Sequence, residues 1–208
     1  MSDLLDSVAR YYAGTLAAHG PTPRGADWNS AESQERRFTE LLRVCEDDRG
    51  ASINDYGCGY GALAARLRRD GYTGEYCGYD VLPAMATAAR DVNRALPRCR
   101  FVTDEAELPR ADYTMASGIF NVKLETPAAA WADHVRATLD RIAQVSARGF
   151  AFNMLTGCAD RDRMRPHLYY ADPGEWLGHC LARFSRRVAL RHDYPLYEFT
   201  VLVWTQVA

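Results

Sequence analysis

Lysine is nearly absent from this chain of 208 residues. Lys123 is the only one, and arginine supplies the rest of the 25 basic side chains, a skew of the kind that genomic base composition produces. Against 27 Asp and Glu the net charge is -2 and the pI about 6.2, so no overall basic surface points to a polyanionic partner such as nucleic acid. Apolar runs are short. None approaches the roughly 18 residues of a membrane-spanning helix, and the first ten residues hold Asp3 and Asp6 where a secretion signal needs basic and apolar stretches. The six cysteines include no C-x-x-C pair, and His and acidic residues show no ligand spacing such as H-x-x-x-H, so no metal centre is expected. Thiols scattered in this way fit a reducing compartment, and the expectation is a soluble cytoplasmic protein with no membrane partner. Internal repeats and low-complexity segments are missing as well.

What remains is ordinary globular composition, 48% hydrophobic and 25% charged, in a length that suits one domain. The focal stretch is Ile53-Asn54-Asp55-Tyr56-Gly57-Cys58-Gly59-Tyr60-Gly61, a predicted strand that enters a glycine-rich turn and then a helix over 62–69. Glycines at 57, 59 and 61 let the backbone turn sharply and approach a ligand, with a positive helix end beyond them. Asp55 lies two residues before the first glycine, where a carboxylate can face a ligand cation. Asp80 ends the next apolar run, roughly twenty residues past the glycines, which is the place of a ribose-binding acid in a βαβ unit. A ligand that combines an ammonium, a sulfonium and a ribose suits both acids.

Along the chain, helical spacing appears over 3–18 and 31–47. The first rests on Leu4, Leu5, Val8, Tyr11, Tyr12 and Leu16, the second on Phe38, Leu41, Leu42 and Cys45 behind a Ser30 cap. Strands over 76–80, 99–103, 112–117 and 148–155 alternate with helices over 83–96 and 127–142. Residues 156–172 read as a long loop, followed by a short helix over 173–180. Two last β-rich runs, 188–193 and 198–205, are too close in sequence for a parallel crossover and predict an antiparallel hairpin.

Asp55, Gly57, Gly59 and Gly61, in the pattern Asp-x-Gly-x-Gly-x-Gly, with Asp80 at the end of the second strand, resemble the class I S-adenosylmethionine-dependent methyltransferases. The element order fits over about residues 50 to 208. The resemblance implies an α/β fold, a Rossmann-like seven-stranded mostly parallel sheet with a C-terminal antiparallel hairpin. By the same resemblance, residues 51–208 would form the cofactor-binding core and residues 1–50 a helical cap that closes over the cofactor, within a single domain 1–208. It also implies S-adenosyl-L-methionine as cofactor and S-adenosyl-L-homocysteine as product. Asp104 after the third strand would accept from the adenine amino group, and Ser117 after the fourth would offer its backbone to the methionine part. Glu105 beside Asp104 is a second cofactor candidate. Leu82, Met85 and Ile119 would cover the adenine, ribose or sulfonium, and Arg37 would pair with the methionine carboxylate.

Methyl transfer by in-line displacement needs a base only where the acceptor must first lose a proton. Asn121, His167 and Tyr170 are the candidates for orientation or catalysis, without a diagnostic spacing. Tyr12, Trp28, Phe120 and Tyr169 are candidates for substrate contact. The Asn/Asp-Pro-Pro-aromatic motif of nucleobase amine methylation and the Pro-Cys of C5-cytosine chemistry are both missing, so a small-molecule acceptor with an oxygen or nitrogen nucleophile leads. Gly57, Gly59 and Ala62 also satisfy the dinucleotide pattern G-x-G-x-x-G/A. An NAD(P)-dependent oxidoreductase is therefore an alternative, although Ile119 occupies the Tyr position of a Tyr-x-x-x-Lys pair ending at Lys123. A non-catalytic module that only binds S-adenosylmethionine is the other.

Overall fold

The computed structural model describes residues 3–205. Its centre is a sheet in the order β3-β2-β1-β4-β5-β8-β7, built from β1 (Ile53–Tyr56), β2 (Tyr76–Tyr79), β3 (Cys99–Val102), β4 (Ala111–Ala116), β5 (Ser146–Thr156), β7 (Val188–Arg191) and β8 (Glu198–Trp204). The first five run parallel. β8 inserts antiparallel between β5 and β7, so the last two strands form the hairpin that the sequence predicts. Within 156–172, expected to be loop, the two-residue β6 (Tyr170–Ala171) pairs with β5 and a 3-10 turn forms at Arg161–Arg163. A pairing that short leaves no periodic signal in the sequence.

All four residues of β1 and all four of β2 are buried, as parallel strands covered on both faces must be. One face packs on α5 (Ala128–Gln144) and α6 (Pro173–Arg183), which bury Trp131, Val135, Leu139, Ile142 and Trp176. The other packs on α2 (Ala31–Leu42), α3 (Ala62–Arg69) and α4 (Pro83–Val92) through Phe38, Leu41, Leu63, Leu67 and Ala89. The predicted Ser30 cap of α2 forms, with Ser30 Oγ accepting the Ser33 amide at 3.1 Å. α2 stops at Leu42, short of residue 47, because the chain tightens into a 3-10 turn over Arg43–Cys45 and Glu46 takes a left-handed conformation. α4 stops at Val92 rather than 96. The Asn93 side chain turns back to donate to the Ala89 and Tyr60 carbonyls.

α1 (Asp3–His19) packs on a 3-10 turn at Arg24–Ala26, where Thr15 Oγ1 donates to the Gly25 carbonyl at 2.8 Å. Its Leu4 and Val8 reach the main core. From β1 the chain builds outward to β2 and β3, then crosses back to β4 and β5 on the other side. The strand order therefore reverses between β1 and β4, and in an open α/β sheet that is where a ligand crevice opens, beyond the carboxyl ends of the strands.

Candidate functional site

A cavity of about 1140 Å³, counting its open mouth, lies at that reversal. Its floor is the glycine turn. Gly57, Gly59 and Gly61 all have positive φ (80°, 54° and 77°), where a side chain would strain the backbone. At Gly57 a Cβ would collide with Ile119 Cγ2, so the turn after β1 and the turn after β4 touch through that missing atom. The turn also holds itself to β2: the Gly57 and Cys58 amides both donate to the Tyr79 carbonyl, at 2.7 and 2.9 Å. The Gly59 amide donates to Asp80 Oδ2 at 2.9 Å. These N–H groups are therefore spent on shape, and the polar character of the floor comes from carboxylates.

Three carboxylates line the cavity, Asp55 and Asp80 at the floor and Glu105 on the far side. Asp55 is 3% exposed and accepts from the Tyr76 hydroxyl at 2.7 Å. Burial first, and the neighbouring Asp80 charge after it, push its carboxyl up to about 7, against the hydrogen bond from Tyr76. Burial also raises Asp80 to about 6, with the Leu82 and Gly59 amides pulling the other way. Beside them the Ser117 hydroxyl is buried and has no hydrogen-bond partner in the protein.

The N-terminal segment roofs this floor. Leu5, Val8 and Tyr12 of α1 line the cavity together with Ala26, Trp28 and Gln34. Burial raises the Tyr12 phenol and holds it protonated. Gln34 accepts from the Tyr60 hydroxyl at 2.8 Å through its carbonyl oxygen. On the far side the cavity runs against the flank of α5, where His134, Thr138 and Arg141 line it. There the Tyr56 hydroxyl donates to Glu105 at 2.8 Å, and Arg141 Nε lies 2.9 Å from the same carboxylate oxygen. Burial, and then the charge of Arg141, lower the His134 imidazole and keep it neutral at pH 7.

A general model of the methyltransferase domain matches residues 53–149, which run from β1 into β5. The Mycobacterium tuberculosis (strain ATCC 25618 / H37Rv) protein Rv1506c, named as a candidate methyltransferase, is 47% identical over 152 residues, which cover 73% of this chain and 92% of that protein. The chain belongs to the class I S-adenosylmethionine-dependent methyltransferases. Solved structures agree on the fold. The S-adenosylhomocysteine complex of DhpI superposes with a TM-score of 0.69 at 14% identity, covering 98% of each chain. Burkholderia thailandensis 1,6-didemethyltoxoflavin-N1-methyltransferase gives 0.69 at 16%, covering all of this chain and 92% of the other.

In this methyltransferase, eleven residues expected at the site do line the cavity: Tyr12, Trp28, Asp55, Gly57, Gly59, Asp80, Leu82, Met85, Glu105, Ser117 and Ile119. Others do not. Gly61 begins α3, and a Cβ there would press on the Asn93 amide and the Phe101 ring, so it serves helix packing. Asp104 points away: it is exposed and its Oδ1 accepts the Ala106 amide at 2.9 Å, which caps the 3-10 turn Glu105–Glu107. Arg37 is a correction of the same kind, since its guanidinium is taken by Glu198 behind the cavity wall. Phe120 is 1% exposed against Phe152, and Tyr169 packs in the same core.

The three catalytic candidates also lie outside the cavity lining. Asn121 Oδ1 accepts the Leu155 amide, the His167 carbonyl accepts from Lys123 and Leu124, and the Tyr170 hydroxyl accepts the Arg165 amide. All three brace the chain around β6. Sequence reasoning left out His134, Thr138 and Arg141, whose helical spacing gives an ordinary polar flank to an apolar stripe.

Proposed function

We propose that this methyltransferase binds S-adenosylmethionine in the cavity at the β1/β4 reversal and transfers its methyl group to an oxygen or nitrogen of a small-molecule acceptor in the cytoplasm. The carrying observation is the unpartnered Ser117 hydroxyl, buried in the same wall as two carboxylates. A buried hydroxyl without a partner is costly unless a ligand supplies one. Asp55 and the glycine turn suit the amino-acid end, and Asp80 suits the ribose hydroxyls. Leu82, Met85 and Ile119 offer the apolar surface for the base. Glu105 takes over the adenine-facing part expected of Asp104. Gln34, with its carbonyl spent on Tyr60, has amide N–H groups left for a carboxylate, the part expected of Arg37.

Bound S-adenosylmethionine supplies a sulfonium methyl group whose positive charge disappears as the methyl leaves. The protein's contribution is alignment and dryness. Val8, Tyr12 and Trp28 exclude water from above, and Tyr12 keeps its proton as a donor. That roof is mainly apolar and aromatic, which supports a compact organic acceptor. The Burkholderia thailandensis protein is named as an N1-methyltransferase of 1,6-didemethyltoxoflavin. All six cysteines are free thiols, which supports a reducing compartment.

Thermal shift against S-adenosylmethionine, S-adenosylhomocysteine, NAD and NADP tests the cofactor. Stabilisation by both adenosyl ligands is expected, and a response to the nicotinamide pair alone would overturn the reading. Transfer of labelled methyl into bulk RNA or DNA by the purified protein would overturn the small-molecule acceptor.

A further inference from the structure

Behind the cavity wall a closed circuit of groups, buried except for the half-buried Trp28, ties the N-terminal cap to the turn after β4. It centres on Glu198, the first residue of β8, whose side chain is 1% exposed. Arg37 of α2 donates through Nε to both carboxylate oxygens, at 2.9 and 2.8 Å, and pairs with Oε1 through Nη2. From the other side Asn153 of β5 donates through Nδ2 to Glu198 Oε2 at 2.5 Å. The remaining oxygen of Asn153 accepts the Gly118 amide at 2.8 Å. The Arg37 guanidinium lies 4.2 Å from the centre of the Trp28 ring. Trp28 in turn packs on Gly118 so closely that a Cβ there would collide with the indole, and φ at Gly118 is +72°. The path therefore returns to its start.

A buried ion pair recovers its desolvation cost poorly, and this one leaves Arg37 Nη1 buried without a partner. Packing alone would be served as well by apolar side chains. What the circuit fixes is the spacing between two walls of one cavity, because Ser117, Gly118 and Ile119 line it from β4 and Trp28 lines it from the cap. Resting on the function proposed above, we infer that Asn153 and Glu198 are positioning residues for methyl transfer. They touch neither cofactor nor acceptor. They act through the Gly118 amide and the Trp28 ring, and Ile119 carries the constraint on to Gly57.

Two substitutions at one position separate positioning from simple support. Asn153→Asp keeps an oxygen for the Gly118 amide and loses the donor to Glu198. Asn153→Leu keeps the volume and loses both. Calorimetric titration of the full chain with S-adenosylhomocysteine is expected to show Asn153→Leu about tenfold weaker than wild type, the worth of one hydrogen bond. Asn153→Asp should stay within about threefold while being no more heat-stable than the leucine variant, since it sets a carboxylate against Glu198. Affinities that follow thermal stability instead, or two variants that bind like wild type, would overturn the inference. Should Asn153→Leu fail to fold, hydrogen exchange of the wild-type Gly118 amide decides: core-like protection that increases with S-adenosylhomocysteine supports the circuit, and loop-like exchange refutes it. Wild-type protein that does not bind S-adenosylhomocysteine would remove the underlying functional reading, and this inference with it.

Discussion

Replacing Asp55 by Asn should make the ligand-free methyltransferase more stable at neutral pH while removing most of one pH dependence. Asp55 is 3% exposed, and burial together with Asp80 lifts its carboxyl from 3.8 to about 7. A folded state that holds this proton more tightly than the unfolded chain is proton-rich between those two values. Its stability therefore increases as pH falls from 7 towards 4, and declines as pH rises. At about 1.4 kcal/mol per tenfold, the ionised carboxylate opposes folding by about 4 kcal/mol at pH 8. The asparagine side chain would carry no charge and would still accept from the Tyr76 hydroxyl, while its buried amide hydrogens cost about 1–3 kcal/mol if left unpaired. The net gain at pH 8 is then about 1–3 kcal/mol, turning into a loss near pH 4. Urea unfolding followed by circular dichroism, at a series of pH values without cofactor, reads the difference between the two proteins directly. The Asp80 contribution is common to both and drops out to first order. Curves that stay parallel across this range would refute the reasoning, because they would mean that Asp55 ionises in the fold as easily as in the unfolded chain.

The remaining predictions concern the ligand and the glycine turn. Asp80→Ala should abolish the thermal response to S-adenosylhomocysteine, which for wild type at a hundred times its dissociation constant is worth about 2.7 kcal/mol; an undiminished response would misplace the ribose. Because Asp80 takes up its proton at about 6, affinity for S-adenosylhomocysteine should fall as pH drops through that value, measurable by calorimetry; an affinity that increases on acidification would contradict the assigned role. Glu105→Ala should weaken the same ligand by about tenfold, the worth of a lost hydrogen bond, while Asp104→Ala leaves it unchanged; the opposite order would restore the acid at 104 as the adenine contact. Gly57→Ala should destabilise the protein by about 1–3 kcal/mol in chemical unfolding, from its positive φ and the collision with Ile119. Wild-type stability in that variant would mean the two turns are free to separate.

Features whose physics is local were legible in the chain. The spacing of Gly57, Gly59 and Gly61 announced the turn, and the short gap between the last two apolar runs forced the hairpin of β7 and β8. Asp80 followed from its distance past the glycines. Choices between neighbours were not legible. Asp104 and Glu105 are adjacent acids, and only the 3-10 turn that Asp104 caps sends one outward and the other into the cavity. Arg37, expected to meet the methionine carboxylate, gave no sign of its protein partner, since Glu198 lies 161 positions away. The flank of α5 posed the same problem. His134, Thr138 and Arg141 line the cavity, and the contact that marks this flank, Arg141 with Glu105 from the segment after β3, joins residues 36 positions apart.

The Tyr79 carbonyl, which receives two amides of the glycine turn, has a kinetic implication. Both bonds are internal to the protein, so the shape of this turn takes its backbone partners from β2 and needs none from a ligand. Little backbone ordering entropy is then left to lose at the moment of capture, which removes one of the steps that slow association.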